Sequence, residues 1–150
     1  MISIRFHGRG GHGMKTASRI LGSAAFISGR HAQDSPIYGA ERRGAAVAAF
    51  TRVSDAPILE RGVIAHPDVI VVNAGAPQFT HGGSITMDAA DVVSTAEVAP
   101  AGTVIAVHME AYNHCGLTRA ALAEACERAG CADRVLIPAD GETIEIDLPR

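Results

Sequence analysis

The chain has 150 residues, a mass of 15.5 kDa and a formal net charge of −3, with 47% hydrophobic, 19% charged and 4% aromatic residues. That balance, at a mean hydropathy of +0.16, excludes a disordered chain and leaves a core to be built from Ala, Val, Ile and Leu. The mild negative charge gives no electrostatic reason to expect nucleic acid or a membrane as partner, and no apolar run reaches the ~20 residues of a membrane span.

Ile2–Phe6 alternates at period two and is predicted as a strand, with no charged segment and long apolar run to mark a secretory leader. The glycine-rich stretch Gly8–Gly13 follows, and Met14–Ser28 then has helical apolar spacing with Gly29 as its stop. His31–Gln33 is predicted as a short strand, the next dozen residues as a loop, and Ala45–Val53 as another strand. Asp55-Ala56-Pro57 breaks that strand, and a short element is expected near Ile58–Ile64. Val69–Val72 and Val104–Val107 lack alternation and are predicted as buried interior strands. Asp88–Val98 is expected to be helical, as is Thr118–Ala129, whose apolar side carries Leu122 and which Gly130 ends. Asp140-Gly141 between two apolar runs predicts a hairpin. The order implies a single three-layer α/β sandwich with a mixed, mostly parallel sheet and a Gly-rich loop after the first strand.

Gly8, Gly10 and Gly13 form G-x-G-x-x-G between a strand and a helix, the context in which backbone N–H groups approach a pyrophosphate. Asp34 stands near the distance at which a dinucleotide site places its ribose-binding carboxylate, but a Ser-Pro loop follows it, and the same glycines equally serve a tight turn. Arg9, His12 and Lys15 make the loop electropositive, so an anionic group on a ligand or partner is expected there.

The stretch from Ile4 to Ile58 resembles the gamma subunit of 2-oxoacid:ferredoxin oxidoreductases, the pyruvate enzymes among them. The residues that carry the resemblance are Gly8, Gly10, Gly11 and Gly13 in the first loop and Pro36, Gly39, Glu41, Arg43 and Gly44 in the second, with "VSDAPI" and "PDVIVV" behind them. His12 stands where the family usually has Gln, which makes a contact there pH-sensitive. The resemblance covers residues 1 to about 72. It implies a non-catalytic component working with alpha and beta subunits and, indirectly, ferredoxin. Thiamine diphosphate, iron–sulfur clusters and coenzyme A belong to that complex, and none is expected to be bound by this chain alone. It further implies that Gly8, Arg9, Gly10, Gly11, His12, Gly13, Lys15, Gly39, Glu41, Arg42 and Arg43 face a ligand or a subunit. As a charge run, Glu41, Arg42 and Arg43 read equally as a solvated turn.

From about residue 67 onward, "PDVIVVNAGAPQFTHGGSITMDAADV" and the stretch from Gly102 to Ile146 resemble the C-terminal part of metallo-β-lactamase-fold hydrolases. There a strand-end His supplies a late metal ligand, and His108 occupies that place, followed by Glu110, His114 and Cys115. The family's earlier H-x-H-x-D-H string is missing, so no metal is expected at His108. The three cysteines, Cys115, Cys126 and Cys131, have no C-x-x-C spacing, cannot ligate a four-cysteine cluster alone, and fit a reducing cytoplasm. The chain thus reads as a chimera of a 1–72 oxidoreductase gamma-like half and a 73–150 hydrolase-like half, joined near Pro67–Asn73. The expected function is a gamma-type component in oxidative decarboxylation of a 2-oxoacid to acyl-coenzyme A. The alternatives are a degenerate hydrolase fragment without a complete metal site and a non-catalytic binding domain.

Overall fold

The computed structural model describes residues 1–36, 44–78 and 84–146. Among the described residues six strands and three helices follow in the order β-α-β-β-β-α-β-α-β, and the chain falls into two compact units, Met1–Ile70 and Val71–Arg150.

In the first unit, β1 (Ile2–Arg9) carries Ile4 and Phe6 to the core at period two. α1 (Met14–Ile27) follows, then β2 (His31–Pro36) and β3 (Ala46–Ser54). The strand order is β2-β3-β1, followed by the start of β4 (Val69–Asn73). β3 is therefore central and antiparallel to both neighbours, pairing Ile2 with Val53 on one side and His31 with Ser54 on the other. α1 lies over β3 and β2 on a face of small residues, Ser18 and Gly22, spaced one helical turn apart. The Ser18 hydroxyl meets the Thr51 hydroxyl at 2.9 Å and donates to the Phe50 carbonyl at 3.2 Å, so this buried polar pair is satisfied. Gly29, at φ +82°, ends α1 where the stop was predicted.

Two predicted features differ here. β2 runs on to Pro36, because the whole segment finds partners on β3. Ile58–Ile64 forms neither helix nor strand. It is an irregular strap fixed by side chains: Arg5 donates to the Ile64 carbonyl at 3.3 Å, and Arg52 donates through both terminal nitrogens to the Gly62 carbonyl at 3.2 Å. Asp68 closes the strap, accepting from the Ser3 N–H at 2.7 Å.

In the second unit the order is β4, β5 (Thr103–Val107) and β6 (Val135–Leu136), with β5 and β6 parallel. α2 (Ala89–Val98) opens on a capping box in which Asp88 and Asp91 each accept the other's backbone N–H. α3 (Arg119–Ala129) is capped by the Thr118 hydroxyl and ended by Gly130 at φ +69°, and Leu122 is fully buried, as its pattern predicted. β4 is buried nearly throughout, but β5 alternates between buried and half-buried residues. The lack of alternation in its sequence marks apolar residues, not burial on both faces. The predicted hairpin is absent among the described residues. β6 takes β5 as a parallel partner, and Asp140-Gly141 forms a local turn in which Glu142 donates its N–H to the Ala139 carbonyl and accepts from the Ala139 N–H. Arg119 pins this turn through Asp140 and the Pro138 carbonyl. The α/β class, the mixed strand directions and the glycine-rich turn after the first strand are those expected from the sequence.

Candidate functional site

The glycine-rich turn begins later than its motif. Gly8 and Arg9 are the last residues of β1, paired with Val47 and Ala46. Gly10 extends the pairing, donating to the Ala45 carbonyl at 2.8 Å and accepting from the Gly44 N–H at 3.2 Å. The chain then turns sharply, with the His12 N–H on the Arg9 carbonyl at 3.0 Å. Gly11 and Gly13 adopt φ of +96° and +79°, and a Cβ on either would meet nothing within 4 Å. Glycine is needed at these two positions for the backbone angle, which costs other residues about 1–2 kcal/mol, and not for close packing.

Gly13 is the N-cap of α1 and offers no side chain, and no acidic residue lies in the first turn. The helix therefore begins with its N–H groups uncapped and its positive dipole end unneutralised, which favours an anion. Lys15 is exposed on that first turn, His12 is half-buried within the loop, and Arg9 donates from Nη1 to the Gly44 carbonyl at 3.0 Å. Sequence reasoning missed His7, one residue before the glycines. Burial, reinforced by the neighbouring Arg5, lowers its pKa to about 4, so it is neutral at neutral pH and adds nothing to the local charge.

The second loop joins β2 to β3. Gly39, Glu41, Arg42 and Arg43 lie outside the described residues, but Gly44 lies on Gly10, so this loop ends beside the glycine turn at one end of the strands. The dinucleotide reading of Asp34 is corrected. That arrangement needs adjacent parallel strands flanking the crossover helix, whereas β3 separates β1 from β2. Asp34 instead sits inside β2, with its Cβ 3.6 Å from where a Gly22 Cβ would stand.

In the second unit, His108 and Glu110 follow β5 at φ of +61° and +55°, flanking the buried Met109. Glu110 is held by Arg119 at 2.6 Å, and this ion pair with the one to Asp140 raises the Arg119 pKa. His114 stacks on Tyr112 with ring centroids 5.4 Å apart. Among the described residues no three His, Cys, Asp or Glu side chains converge as a metal set, although the Tyr112 ring lies against both His108, at 6.4 Å between centroids, and His114. Cys126 and Cys131 lie against each other at the end of α3, where burial and the facing thiol push the Cys126 pKa up to about 11. The Cys126 thiol is thus protonated at neutral pH, and no helix among the described residues is long and apolar enough to cross a membrane.

Comparison with known proteins adds to this geometry. The family model for pyruvate ferredoxin/flavodoxin oxidoreductase matches residues 3–139. That match runs past Val72, where the resemblance read from the sequence ends. The pyruvate/ketoisovalerate oxidoreductases common subunit gamma of Thermococcus litoralis is 57% identical over 72 residues, which are 48% of this chain and 39% of that protein. The chain thus spans about two fifths of that relative's length. The pyruvate oxidoreductase subunit PORC of Thermotoga maritima shares the fold over 91% of this chain and 61% of its own, with a TM-score of 0.53 at 23% identity. An isothiocyanate hydrolase from Delia radicum gut bacteria matches 53% of this chain and 31% of its own, with a TM-score of 0.51 at 43% identity.

Proposed function

The chain belongs to the pyruvate ferredoxin/flavodoxin oxidoreductase family, and from that membership we propose that it is a gamma-type component of a 2-oxoacid:ferredoxin oxidoreductase. In this reading it is inactive alone and takes part in oxidative decarboxylation to acyl-coenzyme A when joined to alpha and beta subunits. The family match over residues 3–139 carries the proposal, and the gamma-subunit relative supports it.

The residues divide the labour. Iron–sulfur clusters do not fit this chain: it has three cysteines, two of them buried against each other, and a cluster takes four thiolates. An anionic diphosphate, such as coenzyme A carries, does fit the uncapped start of α1. There the N–H groups of the first turn, with Lys15 and Arg9 beside them, would hold it as hydrogen-bond donors and positive charges. Coenzyme A supplies the thiol that takes up the acyl group. The resemblance gives Gly39, Glu41, Arg42 and Arg43 the same ligand- or subunit-facing role; they lie outside the described residues, and what supports the reading is the pairing of Gly44 with Gly10. His12 would tune that surface with pH.

We also propose that residues 1–72 carry the gamma-like role and that 73–150 derive from a hydrolase-like half; the 43% identity to the isothiocyanate hydrolase over 53% of the chain supports this. A hydrolytic role is the second reading. The engagement of Glu110 by Arg119 argues against it.

The test is co-expression of the full chain with alpha and beta oxidoreductase components. The expected result is a stable complex whose coenzyme A-dependent oxidation of pyruvate requires this chain and weakens with Arg43→Ala. Failure to associate would overturn the proposal. About one tightly held zinc per chain, lost together with a hydrolytic activity in His108→Ala, would favour the second reading.

A further inference from the structure

α1 ends with large apolar side chains in solvent: Phe26 is 72% and Ile27 83% exposed, and Ile20 is 63% exposed on the preceding turns. Phe26 and Ile27 wall an open groove of about 400 Å³, floored by Gly22 and Ser23 and closed on its other side by Ala32 and Asp34 of β2. β2 pairs only with β3, so among the described residues its outer edge presents unpaired backbone N–H and C=O groups. β2 has no lysine and no bulge to blunt that edge, and its one proline, Pro36, is its last residue. The Asp34 side chain is exposed and makes no hydrogen bond or ion pair among the described residues.

We propose that this edge and groove form a docking site for an extended segment of a partner protein, added as a strand alongside β2 with a basic residue facing Asp34. Ala32 and Asp34 are two apart on one face of β2, the face turned to α1. A strand laid against β2 aligns its own alternate side chains with that face. One of them, apolar, enters the groove over Gly22 against Phe26 and Ile27. The next, Lys or Arg, stands opposite Asp34 as a cross-strand ion pair. The backbone ladder supplies affinity, and the apolar–x–basic spacing supplies specificity. The carboxylate decides the sign of the partner, because an acidic residue placed opposite it would be repelled. The proposal needs only a partner protein and stands apart from the oxidoreductase reading.

The probe is a fluorescein-labelled nonapeptide, VTVTKTVTV, whose valines and lysine share one face when extended. Fluorescence anisotropy with the full chain should give saturable binding, with protection of the β2 amides from hydrogen exchange. A glutamate-centred analogue, and the lysine peptide N-methylated at alternate backbone nitrogens, should each bind at least about fivefold more weakly. Ile27→Lys should weaken the lysine peptide while leaving the circular dichroism unchanged, since that side chain is 83% exposed. Asp34→Lys should invert the preference toward the glutamate peptide. Equal binding of both peptides, no binding, or protection confined to other elements would overturn the proposal. So would a self-associating chain that Ile27→Lys renders monomeric, because the occupant would then be a second copy.

Discussion

Replacing Gly22 by alanine should stabilise the first unit, although Gly22 is buried where α1 faces β2 and β3. A Cβ added there would stand 3.6 Å from the Asp34 Cβ and 3.9 Å from the Thr51 Cγ2, both ordinary van der Waals separations. The helical backbone asks nothing of glycine, and glycine in a helix interior is about 1 kcal/mol less favourable than alanine. The added methyl also covers apolar surface, with an upper value of about 0.8 kcal/mol for a fully buried carbon. Together these give a gain of about 1–2 kcal/mol. At this size each kcal/mol raises Tm by roughly 4–8 °C. Hydrogen exchange of α1 and β3 peptides under increasing urea isolates the first unit from signals of the second. Gly13→Ala is the internal contrast: its φ of +79° makes alanine cost about 1–2 kcal/mol despite open space around it. If Gly22→Ala lowered protection in α1 and β3, the helix would lie closer to the strands than these separations allow, and the reasoning would fail.

Two further outcomes follow from single residues. His7 has its pKa lowered to about 4 in the folded chain against 6.5 unfolded, so the unfolded chain binds the extra proton between those values. Its contribution is therefore complete above pH 6.5 and is lost as pH falls toward 4. With partial exposure discounting the full shift, His7→Gln should reduce the stability difference between pH 7.5 and 4.5 by about 2 kcal/mol in urea titrations, and an unchanged difference would refute the assignment. Gly75→Ala should act oppositely to Gly22→Ala, because its Cβ would fall 2.6 Å from the His108 carbonyl oxygen, a backbone atom that cannot step aside. A loss of about 2–3 kcal/mol, read from exchange of β5 and α3 peptides, is expected, and a neutral result would contradict it.

Much of the fold was legible because local signals decide it. Thr118, Leu122 and Gly130 announce a helix start, its buried face and its end, and each acts as announced. What was not legible depends on partners distant in the chain. β2 extends to Pro36 only because β3 offers it a register, and Asp140-Gly141 fails as a hairpin because Arg119, a residue of α3, captures the turn. The charged Arg52 is 3% exposed, covered by a strap whose sequence has no regular period. At the candidate site the glycines and basic residues were evident from spacing. The strand order that separates β1 from β2, and so rejects the dinucleotide reading, leaves no trace in G-x-G-x-x-G. His7 was invisible for the same reason, since its low pKa comes from burial and from Arg5.

The central position of β3 sets a schedule for synthesis. β1 is the first strand made, but its ladder partner comes last of the three: Ile2 waits for Val53, and α1 waits for Phe50 and Thr51. At roughly 5–20 residues per second, those first fifty or so residues take roughly 3–10 s to emerge, during which β1 has no ladder and α1 no sheet to rest on. The β2–β3 pairing closes over a shorter stretch of chain, so it is the step that can come first once β3 appears. A nascent chain halted before Ala46 would thus hold a helix and an unpaired strand with their apolar faces open, and would depend on a chaperone to keep them apart from neighbours.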